Sequence, residues 1–517
     1  MKILLAGPGT GKTTKIKTLI KEEYADAKNI LVLSFTNATV NDLTQSFSDY
    51  QNVKCYTLHS YALIINHLTD IQILDDIYET PILKHFSDKY EVDFDDLCYF
   101  LQCITFDGMI KSCLEFLKSN PVYGKEKIGR LDLLIVDEFQ DFNLTERDLI
   151  YELSNYAQET LVLGDDDQSI YGFKDADPVG IIELFNKQDV EKIHHENKCY
   201  RCPDVVVDHS KELIAKNKNR IDKPWVKAGN DGSVLFYQIL TQEETSKFII
   251  SRIKEIKEKD SNGSVLVLSP VRYYAQDLTE LLSAEKIDYV DFWVPRVGLD
   301  DIKKIWWLRA IFSDKKILNT TFIANSSFTD HFKNKYNKMI RESLQRDFDE
   351  ANILNQVVDM FPLPLSDYLL NPPHILDFLR ANEEYSVFEN FLNLEDVDGS
   401  LKSIFRKFSP TVEFEKSSIN IMSIHKSKGL QADYVFITGL VDGVLPNKIK
   451  GVDTIEAQRR LLFVGMTRAK KCLHMISQVE WEGKYVSKMD KSQFKFDYRK
   501  KKWAGKASHF ITEMKKD

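Results

Sequence analysis

No stretch restricts the fold of this 517-residue chain more than Ala6-Gly7-Pro8-Gly9-Thr10-Gly11-Lys12-Thr13-Thr14. It follows a short apolar run, Lys2 to Ala6, that reads as a buried strand, and a helical pattern opens at Lys12. A strand, a loop of small residues and a helix in that order form a phosphate cradle. The small residues let successive backbone N–H groups turn toward phosphate oxygens, Lys12 reaches the outer phosphates, and the Thr13 hydroxyl can ligate Mg²⁺ at the positive end of the helix. The pattern is the Walker A loop with Ala6 where a glycine is usual, and it predicts nucleotide contacts from Gly7 through Thr14.

Such a loop needs a carboxylate at the end of another strand to hold the metal, and Leu133-Leu134-Ile135-Val136-Asp137-Glu138 supplies two. Asp137 is the expected Mg²⁺ ligand. Glu138 is the group expected to orient or deprotonate an attacking water, which favours hydrolysis over nucleotide storage.

Ile30 to Phe35 and Thr160 to Gly164 extend a first series of Ile-, Leu- and Val-rich runs separated by helical patterns. Val234 to Tyr237, Val265 to Leu268, Ile419 to Ile424, Tyr434 to Gly439 and Cys472 to Ile476 make a second series. Strands separated by helices predict parallel sheets covered on both faces, hence an α/β chain with two such domains. Each series gives way to aromatic and Leu-rich helical spacing, as at Ile353, Val357, Met360 and Phe361. The predicted organisation is a first domain from 1–60 and 131–198 with a mainly helical insertion at 61–130. A second domain follows from 199–291 and 416–482 with a mainly helical insertion at 292–415, then a basic tail at 483–517.

Composition narrows the setting. A hydrophobic share of 43% excludes a largely disordered chain. No apolar run approaches the roughly 18 residues of a membrane helix, and no secretory signal is seen, so a cytoplasmic location with reduced thiols at its seven cysteines is expected. The net charge of −9 is an uneven average: Asp347 to Ser400 carries twelve acidic residues and one basic, Arg380, which leaves +2 for the rest. Basic stretches at Lys303 to Arg346 and Lys488 to Lys506 suit phosphates.

Further motifs follow in a fixed order. They are Phe35-Thr36-Asn37, Thr57-Leu58-His59-Ser60, Asp137-Glu138-Phe139-Gln140-Asp141, Gly164 through Phe173, Tyr200-Arg201, Ser423 through Leu430, and Val464-Gly465-Met466-Thr467-Arg468-Ala469. With the phosphate loop they resemble motifs I to VI of superfamily 1 helicases of the UvrD, PcrA and Rep type. The resemblance implies two RecA-like P-loop domains sharing one ATP with Mg²⁺, and a motor that moves along single-stranded DNA, 3′ to 5′, and opens tailed duplex DNA. It implies that Gln168 senses the γ-phosphate, that Arg201 and Arg468 act as arginine fingers, and that Tyr200 stacks on adenine. Gly429 and Gln431 fall at its further nucleotide positions. Its DNA-binding positions are Phe35, Thr36, Asn37, His59, Tyr171, Phe173, Lys174 and His425. Ring stacking on bases is worth roughly 1 to 3 kcal/mol per base and is indifferent to sequence.

Departures from that family pattern are equally specific. The first strand starts at Met1 without the segment whose Gln reads adenine, so base selectivity is expected to be altered. Ala38 stands where a Lys is common, Lys174-Asp175 where Arg-Gly is usual, and Gln431 where a Glu often touches the ribose. Both insertions are short, and such compact chains resemble helicases encoded beside a nuclease in antiphage operons such as Gabija. The acidic 347–400 segment is the expected face for a nuclease or other protein partner, since it repels duplex phosphates. A different class of function is a DNA-stimulated ATPase switch that regulates such a partner without separating strands.

Overall fold

The computed structural model describes residues 1–66, 72–74, 80, 84, 93–95, 98, 103–293, 414–447, 455–487 and 489–514. The chain forms two units: one from Met1–Asn66, Ile110–Trp293 and Val412–Asp517, the other from His67–Met109 and Val294–Thr411. The first holds two six-stranded sheets, and every strand pair in both is parallel.

The first sheet runs in the order Val53–Thr57, Ile30–Ser34, Leu131–Val136, Ala157–Gly164, Lys2–Leu5, Glu191–Lys192. Its inner strands read as unbroken aliphatic runs because helices cover both faces, leaving no solvent side for polar residues. One face packs Leu4, Ile30, Val32, Leu133 and Ile135 against Ile16, Leu19 and Ile20 of the helix Lys12–Glu22. That helix is therefore fixed directly behind the phosphate loop. The second sheet runs Ser233–Ile239, Ala469–Gln478, Ala432–Ile437, Val265–Ser269, Ile419–Ser423, Tyr289–Asp291. Its helices include Gln242–Lys259, opened by a capping box between Thr241 and Glu244. The α/β class and the two parallel sheets expected from the sequence are both present.

Three strands of these two sheets escaped the sequence pattern: Val53–Thr57, Glu191–Lys192 and Tyr289–Asp291 all lie at sheet edges. An edge strand needs no continuous apolar run, and Val-Lys-Cys-Tyr-Thr carries none. Within 61–130 the described residues form the helices Phe106–Ser119 and Pro121–Ile128 and most of Leu58–Asn66. The second unit contributes a parallel ladder between Gln72–Ile73 and Cys103–Ile104. The acidic 347–400 segment and the basic Lys303 to Arg346 stretch lie outside the described residues.

The basic C-terminal stretch does not form a separate tail. Glu480–Trp481, Lys502–Ala504 and Lys495–Asp497 make a three-stranded antiparallel sheet. Trp481 and Phe494 pack with Val441 and Val444, while Phe510 is buried in the core of the second sheet. Lys500 and Lys502 both pair with Glu480, at 2.6 and 3.2 Å, and Arg459 grips Glu513 through two hydrogen bonds. The charge pattern read as a solvated tail because its apolar anchors are single residues separated by lysines.

His474 is a buried titratable group in the second sheet, stacked on Phe436 with ring centroids 4.2 Å apart. Burial pushes its pKa from 6.5 down to about 4. The unfolded chain therefore binds the proton first, so the contribution of His474 to stability is complete above pH 6.5 and is lost as pH falls toward 4. Two outcomes are expected. His474→Phe flattens the loss of stability between pH 6.5 and 4, read from urea unfolding at a series of pH values. Phe510→Ala lowers the unfolding free energy by about 3–5 kcal/mol, which truncating a solvated tail residue would not do.

Candidate functional site

The phosphate loop joins the strand Lys2–Leu5 to the helix Lys12–Glu22, with Gly9 and Gly11 at φ 71° and 81°. Gly9 has a second reason to lack a side chain: a Cβ there would lie 2.6 Å from Cβ of Arg201. The loop's carbonyls are tied from behind. Trp225 Nε1 donates to Pro8 O at 3.1 Å, Tyr200 N–H donates to Gly9 O at 2.9 Å, and His195 Nε2 lies 3.0 Å from Thr10 O. Asn197, held at φ 53° as asparagine tolerates, accepts from Gly7 N–H and donates to Leu5 O. These contacts fix the loop's path while Lys12, Thr13 and Thr14 open the helix that follows.

Lys12 Nζ lies 3.0 Å from Glu138 Oε1. Burial works against its charge, but Glu138, Asp137 and Asp165 outweigh that and raise its pKa. Glu138 sits just past the strand Leu131–Val136 in the left-handed region at φ 55°. Burial also opposes its charge, yet Lys12, Lys428 and a donor from Gln140 hold it at about 2. Asp137 moves the other way, to about 6, pushed by burial and then by Glu138. Its Oδ1 is buried without a hydrogen-bond partner. An orphaned carboxylate oxygen in so dry a place fits a cation ligand.

Gln168 Nε2 donates to Asp165 Oδ2 at 2.6 Å, and its Oε1 is 3.5 Å from Arg468 NH2. Arg468 is 1% exposed, and its acceptors are all neutral: Val464 O, Leu430 O, Thr467 Oγ1 and Gln168 Oε1. Burial, then repulsion by Arg201, lowers its pKa to about 9. Arg201 NH1 reaches Thr467 O at 3.4 Å. Lys12, Glu138, Gln168, Arg201 and Arg468 are thus linked around the loop. Tyr200 stands at the rim, 63% exposed, and Gly429 and Gln431 are exposed near Leu430.

The aromatic set divides. Phe35 and Tyr171 rings lie 5.1 Å apart, with Lys174 Nζ 6.0 Å over Phe35, and Phe173 is in the turn Gly172–Lys174. Thr36 caps the helix Asn37–Ser46, accepting from Thr39 N–H, and Asn37 is exposed. His59 sits apart, 3.7 Å from Glu146. His425, pushed by burial to about 4, lines a cleft of about 790 Å³ with Ser169, Gly172 and Asp175.

Sequence reasoning gave no role to several residues that the fold places here. Lys428 donates to both oxygens of buried Asp141, at 2.5 and 2.7 Å, and to Gln168 O at 2.7 Å. Burial pulls the Asp141 pKa up to about 7, and Lys428 opposes it. Lys223 meets Asp165, Asp166 and Asp167 within 2.6–2.9 Å, and Arg220 forks onto Asp167. The run of three aspartates was the signal that cations must lie nearby, but nothing in the sequence marked Trp225 or Asn197.

Comparison with known proteins matches residues 1–174 to an AAA domain and residues 374–480 to the UvrD-like helicase C-terminal domain. The chain is 25% identical to the ATP-dependent DNA helicase Rep of Buchnera aphidicola from Acyrthosiphon pisum, over 91% of each chain. It is 23% identical to DNA helicase II of Rickettsia typhi, covering 92% of this chain and 89% of that one. It is 24% identical to the ATP-dependent DNA helicase PcrA of Leuconostoc citreum, covering 72% of this chain and 58% of the relative.

The buried Lys428–Asp141 pair yields a double-mutant cycle. Lys428→Ala strands a buried carboxylate and lowers stability by about 3–5 kcal/mol. Asp141→Asn in the same chain recovers a large part of that loss, measured by urea unfolding; an additive cycle would contradict the pairing.

Proposed function

The chain belongs to the UvrD/PcrA/Rep family of helicases, and from that premise we propose that it is an ATP-driven single-stranded DNA translocase that opens duplexes with 3′ to 5′ polarity. The observation that carries the proposal is Arg468, a guanidinium removed from water with only neutral acceptors, close to Gln168 and the phosphate loop. A buried cation whose hydrogen-bond acceptors are all neutral is stabilised when an anion arrives, and a nucleotide triphosphate is the anion that the adjoining loop is shaped to take.

In this reading the loop N–H groups and Lys12 bind the phosphates, for which Lys12 leaves Glu138. Glu138, still beside the Lys428 charge and the Gln140 donor, orients the attacking water and takes its proton. Gln168 reports the γ-phosphate, and Arg201 and Arg468 stabilise charge on the transferring phosphoryl. Thr13 and Asp137 would hold Mg²⁺, which when bound neutralises charge on the outer phosphates. Tyr200, Gly429 and Gln431 border the base and ribose.

Coupling to DNA follows from adjacency. Lys428 joins Asp141 and Gln168 and lies 5.3 Å over the Tyr171 ring, which itself packs on Phe35. A change at the phosphate thereby alters the stacking platform a few bonds away. Bases would pass between Phe35, Tyr171 and Phe173, with Thr36, Asn37, His59, Lys174 and His425 along the strand. A nuclease partner and a role in repair, replication or antiphage defence belong to the same proposal, resting on the short insertions and the acidic 347–400 segment.

ATP hydrolysis with and without single-stranded DNA, run beside unwinding of 3′- and 5′-tailed duplexes, tests this. Stimulated hydrolysis with unwinding of the 3′-tailed duplex is expected. Stimulation without strand separation would mean a regulatory switch instead. Glu138→Gln is expected to lower kcat by about 10²–10⁴ with nucleotide binding retained, and Arg468→Ala by about 10³–10⁵. Repeating the assay with GTP reads base selectivity.

A further inference from the structure

The turn Cys199-Tyr200-Arg201-Cys202 carries two thiols that the mechanism does not use. Cys199 ends the strand Lys198–Cys199, and Cys202 stands just before the eleven-residue helix Asp204–Ile214. Cys202 N–H donates to Cys199 Sγ at 3.5 Å, and Cys202 Sγ donates to Thr467 O, also at 3.5 Å. Cys199 Sγ lies only 3.2 Å from where a Cβ on Gly9 would stand. Both thiols are free and fully buried. The pair is therefore clamped between the phosphate loop on one side and Thr467, neighbour of Arg468, on the other, and the two residues it encloses are Tyr200 and Arg201.

The sulfurs have unequal characters. The adjacent Cys202 side chain, backbone N–H groups of Cys202 and Arg201, and the Arg201 charge hold the Cys199 thiol at about 6 against the pull of burial. Cys202 is pushed well above its ordinary value by the same contact and by burial. One thiol of lowered pKa beside one that stays protonated is a pairing that thiol–disulfide exchange uses.

We propose that Cys199 and Cys202 form a reversible disulfide by exchange with a small-molecule disulfide, and that this bond holds nucleotide turnover off. The Cys199 thiolate attacks one sulfur of the oxidant, forming a mixed disulfide and releasing one small thiolate. Cys202 then attacks Cys199 Sγ, closing the internal bond and expelling the second small thiolate, which takes the Cys202 proton. Two protein thiols are oxidised and one small disulfide is reduced to two thiols. Closure removes the Cys202–Thr467 hydrogen bond and re-aims the Tyr200–Arg201 turn enclosed in the new ring. Cys199 is fully buried with its sulfur against Gly9 of the phosphate loop, so exchange requires the loop and the turn to part, as opening of the nucleotide cleft would allow. The effect on turnover rests on the function proposed above; the bond itself does not.

The test treats the full chain with oxidised glutathione and maps disulfides by mass spectrometry of peptides, beside DNA-stimulated ATP hydrolysis. A Cys199–Cys202 disulfide is expected to form and to lower ATP hydrolysis at least about tenfold, since the turn carries an arginine of the kind worth about 10³–10⁵ in rate. Dithiothreitol is expected to restore activity, and a non-hydrolysable ATP analogue to slow the bond's formation. Cys199→Ser and Cys202→Ser, each compared with its own untreated rate, are expected to lose the response. Cys202→Ala serves if Cys202→Ser fails to fold. Absence of the bond, its formation between other cysteines such as Cys98 and Cys103, or equal inhibition of the variants would overturn the proposal. A chain that forms the bond on treatment yet hydrolyses no ATP even before it would sink the functional reading and leave the dithiol standing.

Discussion

Arg468 is a positive charge enclosed by protein, hydrogen-bonded among the described residues to three carbonyl or hydroxyl oxygens and one amide, while the Glu138 charge acts on it without a direct bond. Nearby cations each meet a carboxylate: Lys12 meets Glu138, Lys428 meets Asp141, and Lys223 meets the aspartates 165 to 167. The imbalance is local, and it falls where the phosphate loop, Gln168 and Arg201 converge. The same imbalance explains the lowered pKa of Arg468, since burial and Arg201 both disfavour its charge. A site in this electrostatic state gains most from an anion that spans loop and arginine together.

The two parallel sheets supply the rigidity such a site needs. Asp137 and Glu138 follow directly on a strand buried on both faces, and the phosphate loop follows another. The neighbouring strand Ala157–Gly164 ends beside Asp165 and Gln168, and the strand Ile419–Ser423 leads into Lys428. Polar groups at these strand ends are held by the packing beneath them. Groups carried on the connecting turns, by contrast, are held by hydrogen bonds to other turns, as Cys202 and Arg201 are to Thr467.

Legibility followed the range of the determining interaction. The phosphate loop was readable because its shape depends on residues a few positions apart: positive φ at Gly9 and Gly11 excludes most side chains there. The inner strands were readable because burial on two faces leaves an unbroken aliphatic run. The edge strand Val53–Thr57, half exposed, left no such trace. The C-terminal sheet was hidden by its lysines, whose role is to neutralise Glu480 and to lie over Trp503.

By itself the sequence determined the α/β class, the phosphate loop with its paired carboxylates, and the order of the motifs, all of which are set by local backbone preference and hydrophobic period. Only the tertiary structure decided which charges meet. Lys428 and Asp141 are 287 positions apart, and Trp225 reaches Pro8 across 217. Nothing in either segment's own pattern specifies its partner, because pairing of this kind depends on how two sheets bring their loops together and on the exclusion of water between them.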